Sequence, residues 1–357
     1  MKGKVCGDFC EFTLDKGHFI TGVRMEIGNT PACGKGSLIE YIVAEPEPEF
    51  LDPERMVRCW GARWGANSEY GKLKVVYMHR PGKELLTMRK EDYMEEYDAL
   101  IGPNRSYYWA GKDVPNLEKA QEQHDYFTDI LRSHGVEVVY SVDNPDYLRK
   151  TVNTRDVAAA VPGGMMVLRP APYMRHGEEL VATRTLGMRG VPILATIHGT
   201  GMLEGGGFMM LDPEHAVVTH SCRCNGEAIT QVRALLEPIG IEVIEVAVPG
   251  YEIHIDGMLS IVDEKTALVN STLLPYTFIT KLQSLGYKLL EVPEGESWAI
   301  NNLVIEPGLV CMIDGMNASK KLLERQGIEV ISLPWDENIK SGGGPHCGTC
   351  PLMREYV

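Results

Sequence analysis

"IGIEVIEVAV", Ile239–Val248, joins the end of an amphipathic stretch to a run of β-branched residues through a single glycine. The same junction recurs as "HGVEVVYSV" at Gly135, "RGVPILATI" at Gly190, "LGYKLLEVP" at Gly286 and "QGIEVISLP" at Gly327. A glycine just past a helix supplies the left-handed residue that caps it, and the apolar run that follows reads as a buried strand. The helical patterns ahead of these glycines include "NLEKAQEQHDYFTDILRSH", "NGEAITQVRALLEPI" and "NASKKLLERQ". The last two open on Asn225 and Asn317, which read as N-caps.

Ahead of the helices lie strand pairs with tight turns: "DVAAAVPGGMMVLRP", "GGFMMLDPEHAVVTHS", "MLSIVDEKTALVNST" and "NNLVIEPGLVCMID". Their Pro, Gly and Asp favour chain reversal. The repeating unit is therefore strand, strand, helix, strand. An α/β repeat of this period points to radial or stacked units whose core closes only when neighbours pack. An open α/β sheet with added hairpins is the alternative. Residues 74–357 follow the period and form the expected catalytic domain, whereas residues 1–73 form an N-terminal extension packed on it. The extension carries Cys6, Cys10, Cys33 and Cys59 and the acidic "EPEPEFLDPE", which reads as a surface connection. The spacing of Cys6 and Cys10 suits a metal, but with no second close pair they read as plain thiols.

The chain has 357 residues and a formal net charge of -14, which disfavours nucleic acid and anionic membrane as partners and suits a small cationic ligand. No apolar run approaches the roughly 20 residues of a membrane span, and "MKGKVCGDFC" lacks the apolar core of a signal peptide. A cytoplasmic location is expected. The nine cysteines, odd in number and irregular in spacing, read mostly as reduced, buried fillers.

Polar residues gather at the heads of the units: "NTRD" at Asn153–Asp156, "LEGGG" at Leu203–Gly207, "EIHIDG" at Glu252–Gly257 and "SGGGPHCGTC" at Ser341–Cys350. In "HID" the two-residue period of a strand places His254 and Asp256 on one face and Ile255 on the other. The CxxC of Cys347 and Cys350 does not sit at a helix start after an early strand, as a redox dithiol would. Zinc needs two further ligands; His254 and His346 are candidates, but no second cysteine pair has a standard spacing. Cys350 and the "CRC" of Cys222–Cys224 read as packing thiols.

This constellation, with the opening "GKLKVVYMHRPGKEL" and the closing glycine-rich cysteine loop, resembles the guanidine-modifying enzymes of the pentein fold: arginine deiminases, dimethylarginine hydrolases and amidinotransferases. The resemblance covers about residues 60–357 and implies a five-bladed α/β propeller with five-fold pseudosymmetry. It implies Cys347 as nucleophile, His254 as acid/base, Glu204 as its carboxylate partner, and Asp156 and Asp256 as guanidinium clamps. Arg223 in "SCRCN" and Arg175 in "APYMRHGEE" are similar to positions that hold a substrate carboxylate; Lys340 stands where deiminases often have an arginine. Carboxylates can take the N–H groups of a planar guanidinium in pairs, and a thiolate is a natural nucleophile for its central carbon.

A second clamp at Asp256 implies an unmethylated guanidinium, and Glu204 is similar to the hydrolases. The common Glu-Gly-Gly-Asp run is "EGGG" here, so Gly207 removes a carboxylate from the pocket edge. The resulting expectation is an arginine deiminase-like hydrolase of L-arginine or a close guanidino compound, giving citrulline and ammonia. The alternatives are an amidinotransferase using an amine such as glycine, and a non-catalytic binding protein. No metal, nucleotide or flavin is implied, because the glycine runs lack phosphate-loop spacing. A homo-oligomer is compatible with the sequence.

Overall fold

The computed structural model describes residues 52–250 and 252–357, together with the strands Lys2–Cys6, Phe9–Leu14 and His18–Phe19. The side chains of Cys6, Cys10 and Cys33 lie outside the described residues. The chain divides into two compact units, Met1–Glu47 and Pro48–Val357. The three N-terminal strands pair antiparallel in the first.

In the second unit one arrangement of strands occurs five times. Ala158–Val161 pairs antiparallel with Gly164–Val167, which runs parallel to Ile193–Thr196. The same order joins Phe208–Asp212, His215–His220 and Glu242–Ala247. It recurs in Leu259–Asp263, Thr266–Val269 and Lys288–Glu291, and again in Leu303–Glu306, Leu309–Ile313 and Glu329–Leu333. The fifth sheet is assembled from distant parts of the chain. Cys350–Arg354 pairs antiparallel with Leu73–Met78, which runs parallel to Glu137–Tyr140. The result is an α/β fold of separate three-stranded sheets.

Each parallel pair is joined by a helix: Leu117–Ser133, Glu178–Arg189, Gly226–Leu236, Tyr276–Ser284 and Asn317–Glu324. All five junction glycines have positive φ, between 75° and 87°, as a helix stop in the left-handed region requires. Asn225 caps its helix by accepting from the Ala228 N–H at 3.1 Å, and Asn116 accepts from the Lys119 N–H in the same way. Asn317 is not a cap. It lies inside the first turn, and the helix is capped from outside by Glu296, whose carboxylate accepts from the N–H groups of Ala318 at 2.9 Å and Ser319 at 2.7 Å.

The strands after the glycines are not the buried ones. They occupy the edges of their sheets, and in Glu242–Ala247 only Val243 and Val246 are buried. The hairpin strands carry the core instead: Phe208–Asp212, Gly164–Val167 and Leu309–Ile313 are buried throughout. Gly226–Leu236 meets this core with Ala228, Ile229, Val232 and Leu236, a single helical face.

The compact unit reaches upstream of residue 74. Asp52 caps the helix Pro53–Trp60, so the end of the acidic connection is helical. Met56 and Trp64 pack with Val75, Met165 and Leu352. Gly65 exchanges backbone hydrogen bonds with Leu352 and Arg354. Among the described residues no helix is long and apolar enough to cross a membrane.

A three-stranded meander, Tyr93–Met94, Ala99–Ile101 and Tyr108–Ala110, lies between Leu73–Met78 and its crossover helix. It has a small core of its own, with Leu85, Met88, Leu100, Tyr107 and Trp109.

Candidate active site

The heads of four units are single 3₁₀ turns, Thr154–Val157, Gly205–Gly207, Ile255–Gly257 and Ser297–Ile300, each directly before a hairpin strand or separated from it by one or two residues. The fifth head is the loop between the turn Asn338–Ser341 and the strand Cys350–Arg354. "HID" is therefore not a strand. His254 is extended and Ile255 starts the turn, yet Ile255 is buried in the core while both polar neighbours reach the site. His254 Nδ1 lies 3.7 Å from Asp256 Oδ1 and 4.0 Å from Asp156 Oδ1.

Glu204 is fully buried and accepts from His254 Nε2 at 2.7 Å, from the Ala171 N–H at 3.2 Å, and from Arg223 Nη1 at 3.0 and 3.1 Å. Burial works to raise this carboxyl, but the hydrogen bond and charge of His254, with Arg175 and Arg223, hold it well below the usual carboxylate range. His254 responds in the opposite sense. Burial lowers its pKa, but Asp156, Glu204 and Asp256 outweigh that and raise it from 6.5 to about 9. The imidazole is accordingly charged at neutral pH.

Cys347 is buried, and its thiol faces Asp256 Oδ2 at 3.5 Å. Asn301 contacts it twice: Nδ2 donates to Sγ at 3.1 Å, and Oδ1 accepts from the Cys347 N–H at 3.2 Å. Burial first, then the charges of Asp256 and Asp156, push the thiol far above its ordinary value, so the resting sulfur is protonated. The glycines make room for this packing. A Cβ on Gly343 would stand 2.7 Å from the Cys347 Cβ, and one on Gly206 would stand 2.5 Å from His254 Nδ1. At Gly207 a Cβ would meet Thr219 Oγ1 at 2.7 Å, so a side chain at the position that departs from the common run would have to displace that hydroxyl.

The structure thus brings Cys347, His254, Glu204, Asp156 and Asp256 into one cluster, with Arg223 behind Glu204. Arg175 belongs to the support and is not a free substrate grip. It is buried, and its donors go to Asp156 Oδ2, to Glu178 Oε2 at 3.0 and 2.7 Å, and to the Asn153 carbonyl at 3.0 Å. Lys340 is held by Glu337 at 2.7 Å, and Glu337 also accepts from the Asn116 N–H at the start of a helix. The positive charge of Lys340 therefore serves that joint.

Two residues of the site were missed in the sequence. Asn301 heads the fourth unit, and its place in the repeat was the available signal. Lys150, in "YLRKTVN", carries no motif. Its ammonium lies 5.3 Å from the Tyr108 ring centroid and would stand 3.6 Å from a Cβ on Gly342 of the cysteine loop. Burial, Arg175 and Arg223 lower it to about 8 against the pull of Asp156 and Glu178.

Among the described residues, Asp156, Glu204 and His254 form the one group whose ligand atoms lie within 4.8 Å of one another, as a metal would need. The fit is poor. Both carboxylates are already taken, Glu204 by Arg223 and His254 and Asp156 by Arg175 and the Gly206 N–H.

Residues 109–354 match the family model described as N,N dimethylarginine dimethylhydrolase, eukaryotic. Arginine deiminase 1 of Staphylococcus epidermidis is 23% identical, over 82% of this chain and 98% of its own length. Two solved structures share the fold. One is a dimethylarginine dimethylaminohydrolase from Pseudomonas aeruginosa complexed with citrulline, with a TM-score of 0.63 and 23% identity over 79% of this chain and 100% of its own. The other is SxtG, an amidinotransferase from Microseira wollei, with a TM-score of 0.66 and 15% identity over 83% of this chain and 98% of its own. With the family model matched over most of its length, the chain belongs to the N,N dimethylarginine dimethylhydrolase family, within the guanidine-modifying pentein superfamily.

Proposed function

We propose that this protein hydrolyses the guanidinium of L-arginine or a close, unmethylated guanidino compound in the cytoplasm, giving a ureido product and ammonia. The five sheets would stand about one axis as a propeller, so that their heads face one pocket. The observation that carries the reading is the convergence of a thiol, a charged imidazole and two carboxylates from different units.

Asp156 and Asp256 accept N–H groups of the guanidinium and fix its plane. Its positive charge offsets the burial and the carboxylates that hold the Cys347 thiol protonated, so substrate entry itself favours the thiolate, the thiol proton passing to solvent water, where the released ammonia later takes one up. Sulfur attacks the central carbon and forms the C–S bond. His254, charged and oriented by Glu204, then protonates the departing amine as the C–N bond breaks. The neutral imidazole takes a proton from water as the water attacks the amidino-thioether; the C–S bond breaks and the thiol returns. The half-exposed Arg223 and Lys150 offer positive charge for a carboxylate on the substrate's other end.

Substrate turnover in ¹⁸O water tests this reading. It requires a ureido product with one labelled oxygen, one equivalent of ammonia and a rate independent of added glycine. Ornithine with a new guanidino compound, at a rate saturating in the amine, would establish amidino transfer instead. No turnover of any guanidine would leave a binding protein.

A further inference from the structure

Beside the thiol lies a buried imidazole that the mechanism leaves unused. His346 precedes the nucleophile, is 5% exposed, and places Nδ1 2.8 Å from Asp256 Oδ2. We propose that His346 is a positioning residue that holds one oxygen of Asp256 so that the other is aimed at the guanidinium. This rests on the reading of Asp256 as a clamp.

Asp256 is held below its usual pKa: burial raises it, but the hydrogen bond and charge of His346, with His254, outweigh that. An ionised carboxylate only accepts, so Nδ1 of His346 must carry the proton in this contact. Asn301 Nδ2 at 3.4 Å and the Cys347 thiol at 3.5 Å approach the same Oδ2. Oδ2 is therefore occupied from three sides, whereas among the described residues the polar neighbour of Oδ1 is His254 Nδ1 at 3.7 Å, which makes Oδ1 the oxygen available to a guanidinium. The terminal torsion of an aspartate is broad, so without the imidazole the carboxylate plane can turn.

The backbone that carries the ring is anchored. The His346 N–H donates to the Asn301 carbonyl at 3.2 Å, and Thr349 Oγ1 donates to the carbonyls of Pro345 and His346 at 2.9 and 3.1 Å. Behind it, Nε2 lies 3.6 Å from Glu69 Oε2, and Arg155 holds that carboxylate at 3.3 and 3.5 Å. A chain of buried groups thus runs from the clamp into the interior.

The test uses His346→Ala, His346→Asn and His346→Gln alone and combined with Asp256→Asn. It reads kcat, KM and thermal midpoint, and the calorimetric Kd for L-arginine in a Cys347→Ser background so that an inactive variant still reports. Loss of a charge-assisted contact in a desolvated site should weaken arginine binding roughly tenfold or more in His346→Ala, with a smaller effect on kcat. His346→Asn, whose amide N–H₂ falls near the position of Nδ1, should recover most of this, and His346→Gln, which reaches the other ring nitrogen, should not. In the Asp256→Asn background, His346→Ala should add less than about twofold. Effects that multiply, or Gln rescuing better than Asn, would overturn the proposal. If Asp256→Asn alone leaves arginine affinity unchanged, the clamp reading itself fails, and the positioning role fails with it.

Discussion

A cation entering this site meets groups already set against each other. The thiol is held neutral by burial and by Asp256 and Asp156, and the imidazole is held charged by the same two carboxylates together with Glu204. As an acid His254 must stay protonated, so kcat should fall as pH rises through about 9. Glu204→Gln removes a hydrogen bond and a charge that raise this pKa and should move that limb down by about one unit or more in a kcat–pH profile. Stability follows the same sign. A pKa raised from 6.5 to about 9 on folding contributes stability that is complete below 6.5 and lost as pH climbs through about 9. Denaturation midpoints across that window should decline in the wild type and less in His254→Gln.

The two thiols of the CxxC should separate cleanly. Cys350 is packed among Tyr77, Ala158 and Leu352, with its Sγ directed at the Ala158 carbonyl at 3.2 Å, and burial pushes it up to about 12. Cys347→Ser should cost at least about a thousandfold in kcat because a hydroxyl is scarcely ionised, whereas Cys350→Ser should stay within a few-fold. The members of the cluster were legible in the sequence through the resemblance to the guanidine-modifying pentein enzymes, which implied Cys347, His254, Glu204, Asp156 and Asp256. What Arg175 and Lys340 do was not legible: whether a guanidinium or an ammonium is free depends on the acceptors beside it. Glu178 claims the first and Glu337 the second.

At the scale of elements, the five glycine stops could be read directly because a left-handed residue strongly prefers glycine. Burial of the strands after them could not. An apolar run looks the same at a sheet edge as at its centre, and only the strand order shows that Glu242–Ala247 is an edge. The cap of Asn317–Glu324 escaped for a related reason: it comes from Glu296, 22 and 23 residues before the N–H groups it serves. Glu296→Ala should cost about 1 kcal/mol, the usual value of a lost cap, read as a drop in thermal midpoint with kcat/KM unchanged.

The whole molecule depends on one pairing across the chain. Leu73–Met78 is the central strand of a sheet whose third member, Cys350–Arg354, comes from the far end of the described residues. Leu352 is fully buried in it, so Leu352→Ala should destabilise by about 2–5 kcal/mol in a denaturant titration. It should also lower activity, because the strand it weakens begins three residues after Cys347. That closeness sets a schedule during synthesis. By the time Asn301 has been added, the clamps, the imidazole and its carboxylate partner all exist, but Cys347 is still 46 residues away. At ribosomal speeds of roughly 5–20 residues per second, the unfinished chain spends several seconds with the other residues of the cluster made and Cys347 still to come. On the proposed mechanism the thiol joins the imidazole and the carboxylates in the same event that closes the fifth sheet, so a nascent chain that stops short of Cys347 cannot form the covalent intermediate.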